Sequence, residues 1–238
     1  MNNLNSTSRK ELIALATAKK ELERRTLIRR CTSDPLYYLQ NHTRTKDEQD
    51  KKHPYKPFPP YKYFEMLYAA WLAEPILLIE KSRTMMLTWF FAGLCLHYAM
   101  TNPASKIIFW GPDEDRALQP LDYAWTLWEN QVPELQAAWP LDRPRERQNY
   151  VKMELGNDSA LVALPGKDPD RIRKDHPTIV LFDEAAIIER FEESYGVALA
   201  ARPVKIVAIS SAKPGEFRNM TKDAKPVPWP YARLPRCD

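Results

Sequence analysis

The sequence has 238 residues, of which 44% are hydrophobic and 28% charged, and its formal net charge is +4. That is enough chain and enough apolar material for one large domain or two small ones with a true core. Its three cysteines (Cys31, Cys95, Cys237) are far apart with no C-x-x-C pair, and its four histidines are scattered, which argues against a disulfide framework or zinc site and fits a reducing compartment. The opening MNNLNSTSRKEL lacks the apolar heart of a signal peptide. No apolar run approaches the ~18–20 residues that span a bilayer. A soluble, intracellular protein without a membrane partner is expected. Residues 1–30 and 202–238 each hold eight Lys/Arg against three acids, so both ends are basic and the middle acidic, a pattern open to solvated faces or to nucleic-acid backbone.

Residues 9–30 read as a charged helix with a narrow apolar stripe of Leu12, Ile13, Leu15, Ala16, Leu22 and Leu27; Ser8 and Glu11 suggest a capping box. From Cys31 to Pro60 the text is loop-like, and Thr43 to His53 is expected to be exposed and mobile. A helical pattern returns at Tyr61–Leu72. Apolar runs then alternate with helical patterns: Ile76–Glu80, Lys106–Trp110, Thr178–Phe182 and Val204–Ile209 as strands, with helices over Thr88–Met100, about Asp113–Asn130 and around Ile187–Leu199. Pro120 should kink or split the second of these helices. Gly156-Asn157-Asp158 joins a hairpin of Tyr150–Leu155 and Ala160–Leu164. Uniformly apolar strands alternating with helices predict an α/β fold with an open, mostly parallel sheet covered on both faces. Trp125, Trp128 and Tyr123 have core-like spacing, and His176 has no partner signature.

Ligands of open α/β sheets gather beyond the carboxyl ends of strands, so the residues just after each strand carry the chemistry. After the first strand comes Lys81-Ser82-Arg83-Thr84-Met85-Met86-Leu87-Thr88. Compared with a G-x-x-x-x-G-K-[ST] phosphate loop, Lys81 and Met86 stand for the glycines and Leu87 for the lysine, and only Thr88 matches. Lys81 and Arg83 offer cations from the strand side, and Thr88 a hydroxyl suited to Mg²⁺. From these residues alone, a phosphate loop and a plain crossover both remain open. After the third strand, Asp183 and Glu184 point different ways by strand alternation. One reading gives a metal-holding acid and a water-orienting acid; the other gives a helix-capping Asp and a first-turn Glu. Ser210 and Ser211 end the last strand, where turn formation is the ordinary role. Arg171 and Arg173 are candidates for a phosphate contact or an arginine donated to a neighbour, and Arg143, Arg145 and Arg147 compete for that role.

The segment KSRTMMLTW (Lys81–Trp89) resembles the deviant Walker A loop of phage large terminase subunits, in which the basic residue moves toward the start of the loop. DPLYYLQNHTRT (Asp34–Thr45) and KPFPPYKYFEML (Lys56–Leu67) are similar to that family's lead-in with its adenine-side motif, although a Gln usually stands near Lys62. TIVLFDEAA resembles Walker B, and ISSAKPGEF (Ile209–Phe217) the coupling motif. The resemblance implies a P-loop ATPase that moves double-stranded DNA into a viral procapsid, with ATP and Mg²⁺ as cofactors. It implies Lys81–Thr88, Ser210 and Ser211 at the nucleotide, Thr88 and Asp183 at the metal, and Glu184, with Arg171 and Arg173, in catalysis. It further implies the small terminase subunit and the portal protein as partners, a homo-oligomeric ring on the portal, and a place in the host cytoplasm rather than in the virion. Residues 1–60 would be a lead-in, 61–217 the ATPase domain and 218–238 a tail or linker. The family's nuclease domain follows the coupling motif, and only 21 residues follow Phe217 here, so no nuclease activity is expected. The competing reading is a degenerate, non-hydrolysing module that binds DNA or a capsid partner. A helicase-like remodeller would need a second motor lobe.

Overall fold

The computed structural model describes residues 3–223, with side chains for residues 10–222. Cys237, the Ser8 side chain of the expected capping box and the segment 224–238 lie outside them. The chain begins with α1 (Asn3–Ser33) and α2 (Pro35–His42), followed by a short antiparallel pair, β1 (Arg44–Lys46) and β2 (Tyr55–Pro57). Next come α3 (Lys62–Ala73), β3 (Ile76–Lys81), α4 (Leu87–Thr101), β4 (Lys106–Gly111) and α5 (Glu114–Glu129). α6 (Pro133–Ala138) precedes the hairpin of β5 (Lys152–Glu154) and β6 (Ala160–Pro165), then α7 (Asp170–Lys174) and β7 (Ile179–Asp183). α8 (Phe191–Ala200), β8 (Lys205–Ser211) and α9 (Glu216–Asp223) complete the described residues.

The main sheet runs β3-β8-β7-β4-β6-β5, with the first five strands parallel and β5 an antiparallel edge. Alternation along each strand sorts side chains onto two faces. Ile107, Phe109, Ile179, Leu181, Val207 and Ile209 join the α3, α4 and α5 side in one buried cluster. Ile108, Trp110, Val180, Phe182, Ile206 and Ala208 join the other, under Phe191 of α8 and Phe217 of α9. Because both faces are covered, the strands need no polar side, which is why they read as continuous apolar runs. Each buried large side chain contributes on the order of 1.5–3 kcal/mol, so this double layer is the main source of stability.

Several local expectations need correction. The helix at the start extends over Asn3–Ser33, so Ser8 lies inside it rather than at its cap. Its stripe is largely uncovered: Leu12, Ile13, Leu15 and Leu22 are 58–67% exposed, and only near its end do Leu27, Ile28 and Cys31 meet the core. The stretch after Cys31 is not all loop. Asp34 caps α2 by accepting the Tyr37 N–H at 2.9 Å, and Pro35 opens the helix. The segment expected to be exposed and mobile contains β1, with Thr43 and Thr45 buried. Pro120 does not split α5, which runs unbroken through it with the ring buried; burial of the ring outweighs the single backbone bond it forfeits. The hairpin forms as expected, but Asp158 rather than Gly156 takes the left-handed backbone, at φ 65°.

Candidate functional site

The carboxyl ends of β3, β8 and β7 lie side by side, with β8 between the other two. Their register aligns Lys81 with Ser211 and Asp183 with Ile209. Lys81, Asp183 and Ser211 therefore share the face covered by α4, while Glu80 and Ser210 belong to the opposite face. The loop Ser82–Met86 after β3 returns the chain into α4, and this brings Thr88 to the end of β7. Thr88 donates its hydroxyl to Asp183 Oδ1 at 3.2 Å. Lys81 Nζ lies 3.3 Å from Glu184 Oε1, its side chain only 11% exposed. Lys81 and Thr88, which flank the loop, thus meet Glu184 and Asp183 at the end of β7, pairwise.

Asp183 is 1% exposed and also accepts the Glu184 N–H at 3.1 Å. Burial pushes its carboxyl up to about 6, with the neighbouring Glu184 carboxylate adding to the rise and Lys81, Thr88 and the Glu184 N–H opposing it. Glu184 adopts left-handed backbone at φ 53°, which turns its side chain out of the strand direction and separates it from Asp183. Ser210 is fully buried and its Oγ accepts the Ala186 N–H at 3.1 Å. The last sheet strand is thereby tied to the turn that carries Glu184.

The loop has no glycine, yet it makes glycine-like turns. Thr84 at φ 66° and Met86 at φ 52° both take left-handed backbone, each at a cost of roughly 1–2 kcal/mol for a side-chain-bearing residue. Such strain persists where surrounding structure over-determines it. Met86 then serves as the N-cap of α4, its carbonyl accepting from Phe90 N–H at 3.0 Å. Met85 and Leu87 turn their side chains into the core, at 8% and 1% exposure, so only their backbone faces the loop. Leu87 at the usual lysine position is a packing residue. Ser82, Arg83 and Thr84 are exposed; Thr84 Oγ1 donates to the Arg83 carbonyl at 2.6 Å, and among the described residues the Arg83 guanidinium has no ion pair.

Trp89, next after Thr88, stacks on Tyr123 of α5 with centroids 3.8 Å apart, and Trp125 is buried, so these aromatics are core as their spacing suggested. Tyr63 of α3 was not singled out by its sequence pattern: its hydroxyl donates to the Met85 carbonyl at 2.9 Å. Nothing in the local sequence marks that contact, since it joins residues 22 apart through the tertiary fold. Arg171 and Arg173 lie on α7, in the connection from β6 to β7, and α7 packs against α8. Arg171 lines a cleft with Glu114 and Tyr150, and Arg173 pairs with Asp170 at 3.3 Å. Among the described residues neither pairs with Lys81, Thr88, Asp183 or Glu184. Arg143 pairs with Asp142, and Arg145 bridges Asp122 and Glu129, which occupies both as surface ties.

Chemically, the arrangement is a cation, a hydroxyl, a buried acid and a half-exposed acid around a helix N-terminus whose first N–H groups have no helical partner. Among the described residues no three His, Cys, Asp or Glu side chains cluster as a protein-only metal cage. Two hard oxygen donors at a helix start suit Mg²⁺, which keeps its waters and relies on one or two protein oxygens plus phosphate.

No protein-family model matches the sequence, and no curated protein matches it. Solved structures do. The Thermus phage P74-26 large terminase ATPase domain is similar over 68% of this chain and 69% of that one, with 14% identity and a TM-score of 0.50. A mutant of that domain matches at 16% identity over 67% of this chain and 68% of that one, also at TM-score 0.50. The HK97 bacteriophage large terminase matches over 76% of this chain, with 13% identity and a TM-score of 0.56, and this chain spans 38% of its length. At these identities the likeness is one of fold, and the fold of this chain is that of the phage large terminase ATPase domains.

Proposed function

We propose that this chain is an ATP-hydrolysing motor domain of the large terminase type, which drives double-stranded DNA into a procapsid. The observation that carries the reading is the double pairing of Thr88 with Asp183 and of Lys81 with Glu184. A structural crossover has no use for a buried acid held at about 6 beside a buried cation. In a site awaiting Mg-ATP, those pairs are the contacts that ligand would exchange for its own.

In this reading Lys81 leaves Glu184 and reaches the β/γ-phosphates, and the backbone N–H groups of Arg83–Leu87 face the same oxygens. Thr88 and Asp183 would hold Mg²⁺, which when bound would neutralise charge on the transferring phosphoryl group. Glu184, freed of Lys81, orients the attacking water and accepts its proton. Ser210 senses the state of that turn through Ala186, and Ser211 lies beside Lys81 on the next strand. Arg171 and Arg173 would act on a neighbour's nucleotide in a ring. DNA contact would be electrostatic and independent of sequence, as a motor running along any DNA requires. The small terminase subunit and the portal protein would be the partners of such a motor in the host cytoplasm.

The test is ATP hydrolysis by the purified protein with and without double-stranded DNA, alongside Thr88→Ala and Glu184→Gln. DNA-stimulated hydrolysis that both variants lose supports the reading. Nucleotide binding without hydrolysis would favour a non-hydrolysing module instead.

A further inference from the structure

Tyr63 and the strain in the glycine-free loop belong together. The two rotations flanking the Met85–Met86 peptide set both the direction of the Met85 carbonyl and the sign of φ at Met86. Turning that peptide plane over would carry Met86 out of the left-handed region, where its side chain is disfavoured. The Met85 carbonyl is held toward α3 by the Tyr63 hydroxyl at 2.9 Å, and Met86 is left-handed at φ 52°. In a trans peptide the N–H lies opposite the carbonyl, so the Met86 N–H is turned away from α3. The neighbouring residue fixes the strut from which Tyr63 reaches. Phe64 is fully buried and stacks on Phe90 in the first turn of α4, with centroids 4.5 Å apart and planes 5° from parallel. α3 is thus locked to the helix that the loop opens while it holds the loop's own carbonyl.

We infer that Tyr63 is a positioning residue of the phosphate loop: its hydroxyl selects the peptide orientation that lets Met86 take glycine's place and that presents the Met86 N–H to phosphate. This rests on the reading of the site as a nucleotide site only for its ligand; the clamp itself is a property of the loop. The hydrogen bond supplies what a glycine would otherwise supply by indifference, namely a left-handed residue at the helix start.

The test uses the full chain with Tyr63→Phe, alone and combined with Met86→Gly. Hydrogen exchange of the nucleotide-free protein is measured over residues 84–87, and Mg-ATP affinity by titration calorimetry. Tyr63→Phe should speed exchange in that segment by roughly three- to tenfold and weaken Mg-ATP binding by a similar factor. The rate at saturating nucleotide should change much less, since the lost contact orders the ground-state loop. Adding Met86→Gly should recover most of the affinity, because glycine enters the left-handed region without the clamp. Unchanged exchange at 84–87, or faster exchange spread evenly over the whole protein, would overturn the inference, as would a failure of Met86→Gly to restore binding. If wild-type protein binds no Mg-ATP while Tyr63→Phe still loosens the segment, the clamp stands and the nucleotide reading falls.

Discussion

Thr88, in the first turn of α4, donates its hydroxyl to Asp183 at the end of β7, 95 residues later in the chain, at 3.2 Å. That bond measures how the fold works: a strand, a strained loop and a helix bring a hydroxyl from one crossover onto an acid from another. Beside it, Lys81 and Glu184 lie 3.3 Å apart. The two contacts make different demands on their partners, and variants separate them.

Lys81 and Arg83 are both cations of the loop, but only Lys81 points at the acidic pair. Lys81→Ala should weaken Mg-ATP binding by about a hundredfold, or about 2.7 kcal/mol. Arg83→Ala should change it by less than about threefold, as expected for an exposed side chain free to move. Equal losses from the two substitutions in a nucleotide titration would assign the cation to Arg83 instead.

Glu184→Gln keeps the shape of the side chain and removes the charge that orients water. Turnover should fall by roughly 10²–10⁴-fold while nucleotide still binds. Steady-state hydrolysis and equilibrium binding on the same preparation separate these effects, and an unchanged rate removes Glu184 from the catalytic role.

The folded protein keeps Asp183 at a cost. Its carboxyl is pushed up to about 6 by burial, so between about pH 4 and 6 the folded state holds a proton that the unfolded chain releases, and stability declines as pH rises through that window. Above it, the ionised acid costs on the order of a few kcal/mol. Asp183→Asn should therefore raise Tm by several degrees at pH 8 in nucleotide-free protein while abolishing hydrolysis. A lower Tm at that pH would show that the charge stabilises the fold.

His97 gives the opposite slope. It is buried in α4, its Nε2 2.8 Å from the Cys31 carbonyl, and burial holds its pKa below the usual histidine range. As pH falls through about 6.5, the unfolded chain takes up a proton that folded His97 refuses, so stability is lost on the acid side. His97→Gln, which retains a donor for the Cys31 carbonyl, should flatten the decline of denaturant midpoint between pH 7 and 5. An unaltered slope would show that the acid sensitivity arises elsewhere.

Ser210→Ala leaves the Ala186 N–H without its acceptor next to the turn of Glu184. The expected loss is about 1–2 kcal/mol of stability, with nucleotide binding intact. If Ser210 links the strand to the turn as proposed, the DNA-stimulated part of hydrolysis should fall more than the basal part. Proportional loss of both would assign it a packing role alone.

The strands were legible because their environment is uniform. β3, β4, β7 and β8 are covered on both faces, so each declares itself as an unbroken apolar run whatever its neighbours are. The acids and the hydroxyl at their ends were legible for a related reason: polar residues that abruptly end an apolar run mark the edge of the buried sheet. α2 was written in Asp34-Pro35 but was masked by the polar, proline-rich text around it. The uncovered leucines of α1 show the converse, an apolar stripe that periodicity finds but cannot supply with a partner.

By itself, then, the sequence determined the α/β class and the presence of two cations and two acids at the strand ends. Only the tertiary structure decided that β8 lies between β3 and β7, that Lys81 rather than Arg83 meets Glu184, and that Met86 turns left-handed with Tyr63 holding the preceding carbonyl. It also put Arg171 and Arg173 on α7 against α8, with Arg173 paired to Asp170. The physical reason is range. Alternation and burial act on neighbours along the chain, whereas strand order, ion pairing and a strained loop depend on residues tens of positions apart that meet only once the sheet has closed its ranks.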